Sequence, residues 1–166
     1  MMFPSDLLAE ASNVLDKART AGVMTATAES CTGGLVSALM TEIPGSSDVV
    51  ERSFVTYSNE AKVEMLGVDA RLIDSHGAVS REVALAMAEG ALLKSNADIA
   101  VSITGVAGPG GTPRKPAGLV YFGLAVRERE LIVRVKRFGD QGRQNVRLLS
   151  LQTALGLLNE GVDLFA

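Results

Sequence analysis

The sequence has little cysteine, histidine or aromatic content. Its 166 residues include one cysteine, one histidine and no tryptophan. A single cysteine excludes an internal disulfide framework and a cysteine-rich metal site, and it favours a cytoplasmic protein. No apolar run approaches the length of about 18 residues that indicates a membrane span. The first residues carry acids and no basic region before their apolar positions, so we expect neither a secretory signal nor a membrane partner.

The chain also has no excess of basic residues over acidic ones. The chain has 16 Lys and Arg against 19 Asp and Glu, a net charge of −3. Binding to a phosphate backbone usually leaves a basic footprint, so we expect no nucleic-acid partner. A local basic pocket for one small anion remains compatible with this balance. The length and the 47% hydrophobic content are typical of one globular domain, which we predict to cover residues 1–166.

The apolar pattern alternates between helical and strand periods. Helices are predicted at 5–21, 35–43, 59–66, 80–94 and 143–159, and strands at 23–28, 50–57, 98–104, 118–126 and 131–138. Ser80 is a candidate N-cap. The last two strands predict a hairpin, and Arg134 and Lys136 share one face of its second strand, which suits a position near an edge. This order predicts an α/β fold, a three-layer α/β/α sandwich with a mixed sheet.

Two unusual loops, at 29–34 and 105–116, each follow a predicted strand. Ligand sites in open α/β sheets form where loops leave the carboxyl ends of strands. The second loop has four glycines and three prolines. It is not a P-loop, because Gly111 stands where that motif requires lysine and a strand follows it, which disfavours phosphotransfer from a nucleoside triphosphate. Its glycines permit a close backbone approach to a ligand, but a rigid surface loop gives the same pattern.

The first loop contains candidate nucleophiles. Ser30 leaves a strand just before a helix, where backbone N–H groups can hold an oxyanion or a phosphate. The alternative is that Ser30 or Thr32 only caps the following helix. Cys31 with His76 as its base is a rival pair. Against it, free cysteines are most often inert core residues, and we place His76 in a loop.

Three basic residues have two interpretations each. Lys62 is a candidate base for Ser30 if desolvation keeps its amine neutral, and otherwise it is an ordinary solvated helix lysine. Arg143 and Arg147 share a face at the start of the last helix, where the helix dipole disfavours cations. This placement suggests an anionic partner such as a phosphate. The alternative is that both arginines are solvated and bonded to acids such as Asp140.

Taken together, several motifs resemble one family. "AESCTGG", "YSNEAK", "GAVS", "SITGVAGPGGTPRKPAGLVYFG" and a final Arg-x-x-x-Arg look like the CinA C-terminal domain family. The resemblance covers about residues 5–158, and the characterised members are nicotinamide-nucleotide amidases. Some members carry a further N-terminal domain, and this chain is similar to the stand-alone form.

The resemblance implies an α/β/α fold, a homo-oligomer, no organic cofactor and no metal. It also implies hydrolysis of nicotinamide mononucleotide to nicotinate mononucleotide and ammonia. In that reaction Ser30 is the nucleophile and Lys62 the base, and either Lys62 or a hydroxyl such as that of Thr104 protonates the leaving ammonia. The implied substrate-binding residues are Cys31, Thr32, Gly33, Gly34, Tyr57, Gly105, Gly108, Gly110, Gly111, Arg143 and Arg147. The alternative function is a non-catalytic module that senses a phosphorylated nucleotide or binds a protein partner.

Overall fold

The computed structural model describes residues 2–166, which form a five-stranded sheet with helices on both faces. The helices are α1 (Ser5–Ala21), α2 (Leu35–Thr41), α3 (Asn59–Leu66), α4 (Ala70–His76), α5 (Arg81–Leu93) and α6 (Arg143–Phe165), with a 3₁₀ turn at Ser46–Asp48. The strands are β1 (Thr25–Glu29), β2 (Val50–Val55), β3 (Ile99–Gly105), β4 (Leu119–Val126) and β5 (Ile132–Arg137). The predicted α/β sandwich with a mixed sheet is confirmed.

The strand order is β2–β1–β3–β4–β5. β1 pairs in parallel with β2 and β3, whereas β4 pairs antiparallel with β3 and β5. The predicted hairpin is therefore present, and β5 is an edge strand on which Arg134 and Lys136 are exposed. Parallel β1, β2 and β3 bring their carboxyl ends to one edge of the sheet, so the chain segments that follow them meet there.

Each face of the sheet covers its own apolar core. The first lies under α1, α2 and α6 and includes Leu15, Leu39 and Leu155. The second lies under α3, α4 and α5, where the sheet contributes small side chains such as Ala28 and Ala100. Alternate residues of a strand point to opposite faces. Two cores on one sheet therefore explain why β1 and β3 are buried along nearly their whole length.

Three helices begin at side-chain caps. Ser58, Asp69 and Ser80 accept hydrogen bonds from the backbone N–H groups of Ala61, Arg71 and Val83. The predicted cap at Ser80 is thus confirmed. Helix α4 was not predicted, and the loop placement of His76 is wrong, because α4 begins after the Asp69 cap and His76 is its last residue. Within residues 2–166, none of the helices has the length and apolar character needed to cross a bilayer.

Helix α6 continues past its predicted end at residue 159 and ends at Phe165. Gly161 lies inside the helix, where a Cβ would come within 2.7 Å of Ile99 Cγ2. This glycine lets the helix pass close to β3. The close approach, and not a helix end, explains its presence.

Candidate active site

Ser30 and Lys62 meet at the carboxyl edge of the sheet. Ser30 follows β1 directly, and Lys62 lies on α3, which begins shortly after β2. The Nζ atom of Lys62 is 3.0 Å from Ser30 Oγ. Ser30 is 8% exposed and Lys62 only 1% exposed, so both groups meet inside the protein. The interpretation of Lys62 as a solvated surface lysine is therefore wrong.

The remaining contacts of the Lys62 amine are backbone carbonyls. Nζ donates to the oxygens of Thr56, Tyr57 and Ser58 at 3.0, 3.3 and 3.4 Å. Burial lowers the pKa of Lys62 from its ordinary value, and this effect is larger than the opposing electrostatic effects of Cys31 and Glu60. A neutral amine can accept the Ser30 proton while donating to two of these carbonyls. The arrangement therefore suits a base.

The turn after β1 is shaped by backbone hydrogen bonds and two glycines. Ser30 N donates to Ile103 O, and Gly33 N donates back to Ser30 O, both at 3.0 Å. Gly33 and Gly34 have φ values of 59° and 98°, a conformation that other residues rarely adopt. Within the described chain, the N–H groups of Cys31 and Thr32 donate to no other residue. Cys31 is 6% exposed and Thr32 is fully buried, so of these two N–H groups that of Cys31 is the one a ligand can reach.

Neither Ser30 nor Thr32 caps α2, so that interpretation is wrong. The N-cap position is Gly34, which has no side chain. The first amides of the helix, at Val36 and Ser37, donate instead to the carboxylate of Glu29. The Thr32 hydroxyl also donates to Glu29, at 2.8 Å, and Thr32 is fully buried.

A pocket of about 320 Å³ opens above the Ser30–Lys62 pair. The predicted site residues that line it are Ser30, Cys31, Tyr57, Lys62, Thr104, Gly105, Gly108 and Arg143. The other predicted binding residues, Thr32, Gly33, Gly34, Gly110, Gly111 and Arg147, lie outside its lining. The volume is in the range of small-molecule sites.

One wall of this pocket comes from β3 and the glycine-rich loop after it. Thr104 is buried, and its hydroxyl donates to Ala78 O at 2.8 Å. Lys115, near the end of the loop, donates through Nζ to His76 O and Val79 O. These contacts tie the loop to the segment between α4 and α5. The loop leads into β4 and not into a helix, which agrees with the prediction that it is no P-loop.

Arg143 and Tyr57 bridge the mouth of the pocket. Arg143 Nη2 donates to Tyr57 Oη at 2.8 Å, and Arg143 Nη1 donates to Gly108 O at 2.9 Å. Tyr57 is 60% exposed. Among residues 2–166, neither Arg143 nor Arg147 forms an ion pair, so the predicted alternative of bonding to Asp140 is wrong. Arg143 therefore presents a positive charge at the pocket with only neutral partners.

Arg147 takes a different position although it lies one helical turn further on. Its Nη2 donates to Thr32 O at 3.1 Å and would lie 3.5 Å from a Cβ placed on Gly33. Its Nε atom is buried without a hydrogen-bond partner in the described chain. Arg147 thus supports the turn that carries Ser30, whereas Arg143 faces the pocket.

The alternative Cys31–His76 pair is not assembled. Cys31 lines the pocket, but burial raises the pKa of its thiol to about 11, despite the lowering effect of Arg147. His76 does not line the pocket, and its Nδ1 lies 3.6 Å from the Glu82 carboxylate on α5. A protonated thiol without a base beside it is a poor nucleophile.

Sequence reasoning missed several residues of the site. The unpredicted lining residues are Asn59, Ala78, Val79, Val106, Ala107 and Pro109. All six lie within the motifs that carry the family resemblance, so these motifs were the signal. Glu29 was also missed as a functional candidate. It lies in the motif "AESCTGG", next to Ser30 and at the end of a fully buried strand.

The chain is similar to known proteins over most of its length. The model of the CinA C-terminal domain matches residues 8–162. The chain belongs to this family. A CinA-like protein from Mycolicibacterium gilvum is 49% identical over 144 residues, which cover 86% of this chain and 34% of that protein. The chain spans about a quarter to a third of the length of the first curated relatives it matches.

Solved structures of CinA proteins share the fold. The competence/damage inducible protein CihA from Agrobacterium tumefaciens matches with a TM-score of 0.95 and 46% identity, covering 98% of this chain and 99% of that chain. A CinA superfamily protein from Escherichia coli matches with a TM-score of 0.87 and 28% identity, covering 95% of this chain and 92% of that chain. The predicted family is thereby confirmed for this chain.

Proposed function

We propose that this CinA domain is a nicotinamide-nucleotide amidase. It hydrolyses the carboxamide of nicotinamide mononucleotide to nicotinate mononucleotide and ammonia. The observation that carries the proposal is the buried contact of 3.0 Å between Lys62 Nζ and Ser30 Oγ at the floor of a small-molecule pocket. A module that only binds a nucleotide needs the pocket and its arginine, but it has no use for a desolvated amine beside a serine hydroxyl.

The first half of the reaction forms an ester. The neutral Lys62 amine takes the proton of Ser30 as Oγ attacks the carboxamide carbon. The carbonyl oxygen becomes negative, and the free N–H group of Cys31, which lines the pocket, donates to it. The C–N bond then breaks while the protonated Lys62 gives its proton to the leaving nitrogen. Ammonia departs, and the acyl group stays on Ser30.

The second half releases the acid. Water attacks the ester carbonyl and gives a proton to Lys62, and the bond to Ser30 Oγ then breaks. Oγ recovers its proton from Lys62, so the site returns to its starting state. Because the Thr104 hydroxyl already donates to Ala78 O, its free lone pairs suit it to accept from the ammonia or the water. It would position them, and Lys62 would transfer the protons.

The opposite ends of the substrate need different surroundings. Nicotinamide mononucleotide has a cationic ring and an anionic phosphate. Arg143, at the mouth of the pocket and without an acidic partner, is the residue we assign to the phosphate. The ring of Tyr57 lies beside it and offers an aromatic face to the pyridinium. Homo-oligomer formation, which the resemblance implies, stays a prediction.

Chromatography of the products tests the proposal. Purified protein is incubated with nicotinamide mononucleotide, and separately with nicotinamide riboside, which lacks the phosphate. We expect nicotinate mononucleotide from the first, and a much lower kcat/KM for the second because it cannot engage Arg143. If folded protein binds the mononucleotide in a thermal-shift assay but releases no acid, the domain is a binding module and the proposal is wrong.

A further inference from the structure

Glu29 is a fully buried acid next to the proposed nucleophile, and the mechanism above does not use it. It is the last residue of β1, with an exposed fraction of 0%. It does not line the pocket, so it does not touch the substrate. Within residues 2–166 it forms no ion pair with a lysine, an arginine or the histidine. A buried carboxylate without a cation needs strong hydrogen bonds to be tolerated.

Four donors meet the two oxygens of this carboxylate. Oε1 accepts from the Thr32 hydroxyl at 2.8 Å and from Val36 N at 2.9 Å. Oε2 accepts from Ser37 N at 3.0 Å and from the Thr27 hydroxyl at 3.2 Å. All four groups are donors in these contacts, which an ionised carboxylate can satisfy and a carboxamide cannot. The negative charge also lies at the N-terminus of α2, where the helix dipole favours it.

These four contacts lie on both sides of Ser30. Thr27 precedes it on β1, Thr32 belongs to its turn, and Val36 and Ser37 begin the helix that follows. One side chain therefore fixes the strand, the turn and the helix relative to each other. By capping α2, it also replaces the side-chain cap that Gly34 does not provide.

We infer that Glu29 is a positioning residue for the nucleophile: its carboxylate holds the turn so that Ser30 Oγ reaches Lys62 and the N–H group of Cys31 faces the reacting carbonyl. This inference rests on the proposed role of Ser30. It assigns to Glu29 an effect on the rate of attack and not on the affinity for substrate.

The test replaces Glu29 by glutamine, which keeps the shape of the side chain. The carboxamide has one acceptor oxygen, so its NH₂ group must face a donor in either orientation, and the turn shifts. We expect kcat for nicotinamide mononucleotide to fall about 100-fold, since small misplacements of a reacting group cost this much. KM should stay within about threefold of wild type because the pocket lining is unchanged.

A second readout separates this inference from the choice of substrate. Diisopropyl fluorophosphate phosphorylates an activated serine: an Oγ–P bond forms, the P–F bond breaks, fluoride leaves and Lys62 takes the Ser30 proton. The labelling rate is followed by intact mass, with Ser30→Ala as background. We expect Glu29→Gln to lower this rate about 100-fold. If wild type is labelled but releases no ammonia, the proposed substrate is wrong, while slower labelling of Glu29→Gln still supports the inference.

Asp69→Asn is the matched control, because it makes the same carboxylate-to-amide change at the cap of α4. It should keep wild-type labelling and kcat. A folded Glu29→Gln variant that labels at the wild-type rate overturns the inference, and so does a wild-type Ser30 that is not labelled. If Glu29→Gln does not fold, Thr27→Val removes one of the four bonds. It should slow labelling about fivefold, and an unchanged rate in that folded variant equally overturns the inference.

Discussion

Lys62 Nζ lies 3.0 Å from Ser30 Oγ, although 32 positions separate the two residues in the chain. β1 brings the serine to the edge of the sheet, and the segment after β2 brings the lysine to the same place. Within the described residues, Ser30 is the only side chain to which Lys62 is hydrogen-bonded. Burying an amine without an acidic partner costs free energy, so this placement suits a function better than it suits stability.

Replacing Lys62 by methionine should abolish most of the activity while the protein stays folded. Methionine fills a similar space but has no lone pair that can take the Ser30 proton. We expect kcat to fall about 1,000-fold, which is typical for the loss of a general base. Circular dichroism and steady-state kinetics check this result. Lys136→Met, on the exposed edge strand, is the control and should keep full activity; similar rates for both variants would contradict the role of Lys62.

The activity should depend on pH through Lys62. Burial lowers the pKa of this amine, and only its neutral form can act as a base. Consequently kcat/KM rises as the pH increases through the lowered pKa, and it falls on the acidic side, where the amine is protonated. A pH–rate profile measures the pH at which kcat/KM rises. We expect its midpoint below the ordinary lysine value of about 10.4, and a midpoint at the ordinary value would mean that another group or step limits the rate.

Arg143 should control the binding of the phosphorylated substrate. We expect Arg143→Gln to raise KM for nicotinamide mononucleotide at least about tenfold, which corresponds to one lost charged hydrogen bond. The change also removes the contact with Tyr57, so Tyr57→Phe is needed as a control that breaks this contact and keeps the arginine.

Arg147→Gln should lower kcat more than it raises KM, because Arg147 supports the turn at Thr32. The opposite pattern for the two arginines would place the phosphate at Arg147.

The thiol of Cys31 should be unreactive in the folded protein. Burial raises its pKa to about 11, so at pH 8 only about one thiol in a thousand is ionised. We expect alkylation by iodoacetamide to be about 100-fold slower than for the same protein in urea, where the thiol has its ordinary pKa. Mass spectrometry of timed samples measures both rates. Fast alkylation of the folded protein would support Cys31 as the nucleophile in place of Ser30.

Two glycines provide an independent test of the packing. A Cβ on Gly90 of α5 would lie 2.1 Å from Leu66 O, at the end of α3. Gly90→Ala should therefore lower the free energy of unfolding by about 2 kcal/mol. Gly156→Ala is the matched variant, since Gly156 is exposed within α6 and has no atom within 4 Å of its Cβ position. It should raise the free energy of unfolding by about 0.5–1 kcal/mol. Urea titrations compare the two, and equal effects would contradict the close contact of α3 and α5.

Most of the fold was predictable because apolar residues recur at clear helical or strand spacings along the sequence. Leu7, Ala11 and Val14 have helical spacing in α1, and the apolar run in β3 suits a strand covered on both faces. Helix α4 has only one buried residue, Ile73, so it gave no periodic signal. The end of α6 was missed because a glycine that permits close packing resembles one that ends a helix.

The site was predictable only in part, because its geometry depends on tertiary contacts. The motifs identified Ser30 and Lys62, but spacing along the chain does not determine whether they meet. Arg143 and Arg147 were equivalent by helical spacing, and the structure separates them: one faces the pocket and the other the turn. Glu29 was not distinguishable from an ordinary strand residue, since its four donors are brought together only by the fold.

Release of ammonia from nicotinamide mononucleotide, measured for wild type and for Ser30→Ala at matched concentration, tests the central claim most directly. We predict steady release by wild type and none above background by a folded Ser30→Ala variant. Release by both proteins at the same rate would show that Ser30 is not the nucleophile. No release by folded wild type would contradict the assignment as an amidase.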